Sequence, residues 1–491
     1  MLTRLRVSGF KNLVDVDVRF GPFTCIAGAN GVGKSNLFDA IRFLSNLATH
    51  PLREAAVMVR DEQSKAGDLR SLFTRIGDQY VNEMSLEAEM IIPPTGEDDL
   101  GQPAQAQITF LRYRLVLAYE PENALSTVAR LVVREEKLTH INQTDASNHL
   151  LFEHRYEWRK SVVLGKRIAD FISTDVVEGA VLIRRHQEGT SGKPQPAAAG
   201  KLMRTVLSSV NAGEAATAAL AKREMQSWQL LQLEPTALRR PDPVDAAAHL
   251  GPDGSHLPAT LYRLGRAHPE SLYAAIGNRL SELNEDVRHV RVERDEKRDL
   301  LTVEVTDRSG TRHPARALSD GTLRFLALTV IEQDEQMGGV LCLEEPENGI
   351  HPARIVAMLD LLRDIVTDPF VPVEPTSRLR QVIINTHSPA VVNQLPADTL
   401  VVAEREATVG ANGQLIHRVR FSALPGTWRT TGEGAAPPVA LGKLLAYLNP
   451  EGNAPAESSD EGATPPARRE RRLRDVYEGQ LDLFDQAVRD L

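Results

Sequence analysis

Residues Gly28-Ala-Asn-Gly-Val-Gly-Lys-Ser35 follow the pattern G-x-x-x-x-G-K-[ST] between a short apolar run and an amphipathic stretch. That pattern dictates a strand, a tight loop and a helix in that order. Gly28 and Gly33 let the backbone turn so that the N–H groups of Ala29, Asn30, Gly31 and Val32 converge on phosphate oxygens. Lys34 then reaches the β- and γ-phosphates, and the Ser35 hydroxyl is placed to ligate Mg²⁺. Phe23-Thr-Cys-Ile-Ala27 suits a buried strand, and Leu37, Ala40, Ile41, Leu44, Leu47 and Ala48 recur like one face of a helix. The helix start, with Asn36 in its first turn, therefore points at an anion, where its free N–H groups and dipole favour negative charge. The chain is read as a nucleotide-binding protein.

At 491 residues there is room for two or three domains, and 42% hydrophobic with 25% charged residues is an ordinary globular balance. No apolar run is long enough to span a bilayer, and the opening Met-Leu-Thr-Arg-Leu-Arg-Val passes straight into a strand pattern. Cys25 and Cys342 both fall in apolar runs and read as buried thiols. A cytoplasmic location, with no membrane partner, is expected. The net charge of −9 argues against a protein that coats nucleic acid indiscriminately.

Leu5 and Val7, then Val14, Val16, Val18 and Phe20, alternate with polar residues around the bend Gly9-Phe-Lys-Asn12, which reads as a hairpin leading into the loop. Further strands are expected near 87–92, 108–119 and 129–134. From about 150 to 295 the pattern turns helical, broken by loops at 189–196 and 239–243. The expected organisation is a first part of a nucleotide-binding domain over 1–140, a mostly helical insertion over 141–300, the rest of that domain over 301–420, and an extension over 421–491. That extension holds a Pro/Gly/Ser/Ala-rich flexible linker at 450–466 and a charged helical tail with Arg468, Arg469, Arg471, Arg472 and Arg474.

Three later segments carry chemistry. In Ala317-Leu-Ser-Asp-Gly-Thr-Leu-Arg324, Ser319 is a good helix N-cap, followed by Asp320 and Gly321 and an apolar stripe, giving a second helix start suited to an anion. Val340-Leu-Cys-Leu-Glu-Glu-Pro-Glu-Asn-Gly is an apolar strand ending in two acids, delivered to the sheet edge where ligands bind. Glu344 suits the Mg²⁺ shell and Glu345 the polarisation of an attacking water. Gln381-Val-Ile-Ile-Asn-Thr-His-Ser388 is a buried strand ending at His387, placed to hydrogen-bond the γ-phosphate or that water.

Taken in order, these motifs resemble ABC-type ATPases, and in particular their SMC/RecF/OLD-like branch, over about 1–140 and 300–405. The resemblance implies an α/β fold, a P-loop ATPase head with a mixed sheet and a helical insertion. It makes Gly28 to Ser35 the Walker A loop, Leu318-Ser-Asp-Gly-Thr322 the signature, Glu344 and Glu345 the Walker B end with its catalytic glutamate, Glu347-Asn-Gly349 the D-loop and His387 the switch histidine. It implies ATP and Mg²⁺ as cofactors and a head-to-tail homodimer, or a larger even assembly, in which Ser319, Asp320 and Gly321 of one copy cap the nucleotide of the other. Two departures stand out: Glu344 occupies a position where Asp is usual, and Ser-Asp-Gly replaces Ser-Gly-Gly. OLD-like proteins carry a Toprim nuclease, but after His387 no Asp-x-Asp follows a strand end, so the output is expected in a separate effector, as in anti-phage defence. The competing expectation is a DNA repair ATPase that clamps DNA.

Overall fold

The computed structural model describes residues 1–59, 68–122, 128–188, 194–266, 268–409, 415–432 and 434–440. The expected linker at 450–466 and the arginine-rich tail lie outside the described residues, as does most of the loop at 189–196.

The strands fall into two main sheets. Leu2–Ser8 (β1) and Val16–Arg19 (β2) form the expected hairpin, and Phe23–Ala27 (β3) leads into the phosphate loop. Glu83–Ile91 (β4), Phe110–Glu120 (β5) and Arg130–His140 (β6) follow. Ile172–Val177 (β7), Ala180–Arg185 (β8) and Gln195–Ala198 (β9) come next, then the short Gln229–Leu231 (β10). Val287–Asp295 (β11) and Leu300–Asp307 (β12) form a separate small sheet. Gly339–Glu344 (β13), Arg380–Thr386 (β14), Leu400–Val409 (β15) and Leu415–Ala423 (β16) are the last of the longer strands, and among the described residues six pieces of two or three residues lie outside the two main sheets.

The first sheet has eight strands in the order β9-β8-β7-β6-β5-β4-β1-β2, each neighbouring pair antiparallel. The second has six, in the order β10-β13-β14-β3-β15-β16, parallel except for the closing β15–β16 hairpin. Between the sheets runs Lys34–Leu47 (α1), whose Leu37, Phe38, Ile41 and Leu44 pack in one cluster with Leu5, Leu86 and Leu115 of the first sheet and Cys342 and Ile383 of the second. The opposite face of the second sheet is covered by Asp320–Gln333 (α2) and Ile355–Ile365 (α3), through Leu323, Leu326, Leu359 and Leu362. Apolar strands buried on both faces explain why β3, β13 and β14 read as continuous hydrophobic runs. Both cysteines are free and buried there, and burial raises both thiols.

Residues 141–300 contain the expected helices, including Ala216–Gln226, Leu257–Gly265 and Pro269–Leu283. They are not, however, a separate helical unit. β7, β8 and β9 extend the first sheet, and β10 pairs in parallel with β13, the strand that carries the acid pair. These strands are short and half-exposed, which leaves little apolar alternation to read.

On the first sheet Glu89, 1% exposed, accepts from Arg112 Nη2 at 2.8 Å and pairs with His149 Nδ1 at 2.9 Å. Burial alone would raise its pKa, but these partners outweigh burial and hold it at about 2, against 4.5 for the free side chain. Because the folded value is depressed, the contribution is full above about 4.5 and disappears as pH falls through about 2. The pair network is then worth on the order of 3 kcal/mol near neutrality. Urea melts at pH 7 and pH 3 should show wild type losing markedly more stability on acidification than Glu89→Gln; equal losses would contradict this assignment.

Candidate nucleotide site

The carboxyl ends of three neighbouring strands meet where the phosphate loop begins. Ala27 of β3 stands opposite Thr386 of β14, and Glu344 of β13 stands opposite Asn385, so loop, acid pair and histidine strand share one edge of the second sheet. This is the edge where open α/β sheets bind ligands.

Gly28 and Gly33 are required by the loop's surroundings. A Cβ on Gly28 would lie 2.5 Å from the Ala403 carbonyl oxygen. Gly33 has φ of 114°, and a Cβ there would lie 2.2 Å from Asn12 Nδ2. Asn12 comes from the bend between β1 and β2; its Nδ2 donates to the Val32 carbonyl at 3.0 Å and its Oδ1 accepts from Asn36 Nδ2 at 2.7 Å. The first hairpin thus braces the loop and the first turn of α1. Gly33 caps α1 with no side-chain bond and no acid lies in its first turn, which leaves its amide donors for an anion.

A cavity of about 570 Å³ opens over the loop, bounded by Asn30, Gly31, Gly33, Lys34, Ser35 and Asn36 on one side and Glu344 and Glu345 on the other. Lys34, 6% exposed, turns its ammonium onto the carbonyls of Gly28 at 2.6 Å and Ala29 at 3.0 Å. Burial lowers the Lys34 pKa, against the pull of Glu345, Glu347 and Glu344. A buried ammonium held by neutral carbonyls beside an anion-ready helix start fits a polyphosphate. Ser35 and Glu344 line the same space, and among the described residues no cluster of three His, Cys, Asp or Glu side chains stands ready to enclose a metal. One hydroxyl and one carboxylate suit Mg²⁺, which keeps several waters and phosphate oxygens in its shell.

Glu345 follows directly on β13 with a left-handed φ of 45°. Its N–H donates to both the main-chain oxygen and Oδ1 of Asn385, each at 3.1 Å. Its Oε1 lies 2.6 Å from His387 Nδ1, and its Oε2 accepts from Asn348 Nδ2 at 2.9 Å. Burial alone would raise this carboxyl, but Asn348, His387 and Lys34 outweigh it and hold its pKa below the ordinary value. The buried Glu347 behind it accepts from Thr386 Oγ1, and burial pushes its carboxyl up.

Ser319 caps α2 as expected, its Oγ accepting from the Thr322 N–H at 3.2 Å. Asp320 is exposed and bonds Arg239 Nη2 at 2.5 Å. Gly321 packs on the D-loop so closely that a Cβ would lie 2.3 Å from the Gly349 carbonyl oxygen. None of these three residues lines the cavity over Lys34. His387 reaches it through Glu345, whereas the pocket also takes in Asn348 of the D-loop together with Asn12 and Asn385, neither of which is among the expected site residues. Asn385 carried a signal in being a polar residue inside an apolar strand, and Asn12 in closing the Gly-Phe-Lys-Asn bend.

The family model described as "AAA domain, putative AbiEii toxin, Type IV TA system" matches residues 23–137 and 203–393, more than half of the chain. The chain belongs to this family. The first matched piece contains the phosphate loop and the second the Ser319 helix start, acid pair and histidine just described, while 138–202, with β7 to β9, lies between them. The DNA replication and repair protein RecF of Paenarthrobacter aurescens is 32% identical over 88 residues, 18% of this chain and 22% of that protein. RecF of Porphyromonas gingivalis is 41% identical over 51 residues, 10% of this chain and 14% of that protein. The chain thus spans about a fifth or less of the length of these relatives. Among solved structures, an SMC head bound to the C-winged helix domain of ScpA aligns with 86% of this chain and 98% of its own, at 13% identity and a TM-score of 0.45. The Pyrococcus furiosus SMC head bound to the C-terminal domain of ScpA aligns with 86% and 96%, at 12% identity and a TM-score of 0.44. Family and relatives bear out the sequence resemblance to ABC-type ATPases of the SMC/RecF branch. Among the described residues no helix is long and apolar enough to cross a membrane.

Proposed function

We propose that this AAA family member hydrolyses ATP with Mg²⁺ and uses the cycle as a switch, closing as a head-to-tail homodimer on ATP and opening after hydrolysis. The observation that carries the reading is Glu345, held between His387 and Asn348 at the rim of the cavity that Lys34 and Ser35 floor. Loop amides and Lys34 hold the phosphates, and Ser35 with Glu344 would hold Mg²⁺, which neutralises charge on the β- and γ-phosphates. Glu345 takes a proton from water as its oxygen attacks the γ-phosphorus, and the bond to the β-phosphate oxygen breaks to release ADP. Ser319 and α2 have an anion-ready start but do not line their own chain's cavity, which supports completion of the site by a second copy.

The output proposed is restraint and release of a separate effector in anti-phage defence, a reading supported by the AbiEii-type, toxin–antitoxin description of the family. The RecF relatives favour a second reading, an ATPase that clamps DNA. Steady-state turnover with and without duplex DNA, at 50 and 200 mM salt, separates them. The effector reading expects DNA to change turnover less than about twofold at either salt; strong stimulation that fades at the higher salt would overturn it in favour of the clamp.

A further inference from the structure

Asn385 stands at the penultimate position of β14, 2% exposed, directly opposite Glu344 in the parallel ladder and on the wall of the cavity. Its amide meets both acids of the pair. Oδ1 accepts from the Glu345 N–H at 3.1 Å, and Nδ2 points to Glu344 Oε1 at 3.4 Å. Two features make such a group necessary. A side chain in the left-handed region, as at Glu345 with φ of 45°, costs of order 1 kcal/mol or more and persists only when the surroundings hold it. Glu344 is one methylene longer than the aspartate usual there, so its carboxylate has one more torsion to restrain.

We infer that Asn385 is a positioning residue that aims both acids: its Oδ1 fixes the Glu345 peptide and its Nδ2 restrains the longer Glu344 carboxylate. An amide supplies an acceptor and a donor on two separate atoms of one rigid group, which neither an ionised Asp nor an apolar residue can do, and which a Thr hydroxyl offers only from a single oxygen. Asp would keep the acceptor, lose the donor, and set a third carboxylate against Glu344 and Glu345. The inference rests on the proposed hydrolysis at this site and concerns how the site is held.

The test compares wild type, Asn385→Ala, Asn385→Asp and Glu345→Gln, using turnover, thermal melting and the binding of a fluorescent ATP analogue titrated with Mg²⁺. Asn385→Ala should bind the analogue within about twofold of wild type and turn over ATP roughly 10- to 100-fold more slowly, as a small misplacement of a catalytic group does. Asn385→Asp, the same shape, should likewise be slow. Its added charge should lower the Mg²⁺ needed for half-maximal analogue binding and move the acid limb of its pH–rate profile upward. Wild-type turnover in either folded variant overturns the inference, as does a parallel loss of binding and turnover in both. If Asn385→Ala does not fold, Asn385→Asp decides the matter on its Mg²⁺ titration, and an unchanged midpoint counts against it. Undiminished turnover in Glu345→Gln would instead remove Glu345 as the base on which the inference rests, and absence of turnover in wild type would remove the hydrolysis reading itself.

Discussion

Glu345→Gln should bind ATP as wild type does and turn it over roughly 10²- to 10⁴-fold more slowly, the range that a positioned general base supplies. Glutamine matches the shape of the side chain and still offers one oxygen, so either the Asn348 or the His387 contact survives and the fold around β13 is kept. What it lacks is the capacity to take a proton from water. Lys34, Ser35 and the loop amides are untouched, so nucleotide affinity should move little. With ATP held and no hydrolysis to separate the heads, the variant should accumulate as an ATP-dependent species of at least twice the monomer mass, visible by light scattering. Because Asn348, His387 and Lys34 hold the Glu345 carboxyl below its ordinary pKa, wild-type turnover should not fall on acidification until below the usual carboxylate range. Unimpaired turnover in the variant would remove Glu345 as the base.

Much of the site is legible because its parts lie at ends of elements. Gly28 to Ser35 is a contiguous loop, and Glu344, Glu345 and His387 each follow an apolar run, so their common sheet edge can be inferred before the strand order is known. Asn12 and Asn385 are harder to read, since what they do depends on register. Asn385 matters because it faces Glu344 across a ladder, and Asn12 because a hairpin folds back onto Gly33. The same cause hides the sheet extension. Ala180–Arg185 carries two arginines on a half-exposed strand, and Gln195–Ala198 contains Pro196, tolerated because the strand lies at the sheet edge. β10 has three residues and forms only because β13 offers it a partner.

The placement of Ser319 away from the cavity leads to the second large effect, which a single chain cannot show. Lys34→Ala removes the ammonium that meets the phosphates, and Ser319→Arg fills the start of α2 with a bulky cation at the cost of an N-cap worth about 1 kcal/mol. Each variant alone should lose turnover by roughly 100-fold or more. In a mixed pair, the lesions fall together in one composite site, because the altered loop of the first copy meets the altered helix of the second. The other site then has an intact loop and an intact helix. Mixed one to one, about half of the pairs are hybrids with one working site of two, so turnover should return to roughly a quarter of wild type. Should the two sites fire only together, hybrids built with Glu345→Gln in both chains should still show ATP-dependent pairing that neither parent shows. A mixture that recovers neither turnover nor pairing would mean that Ser319 does not serve a neighbour's nucleotide, and the switch would have to be sought within one chain.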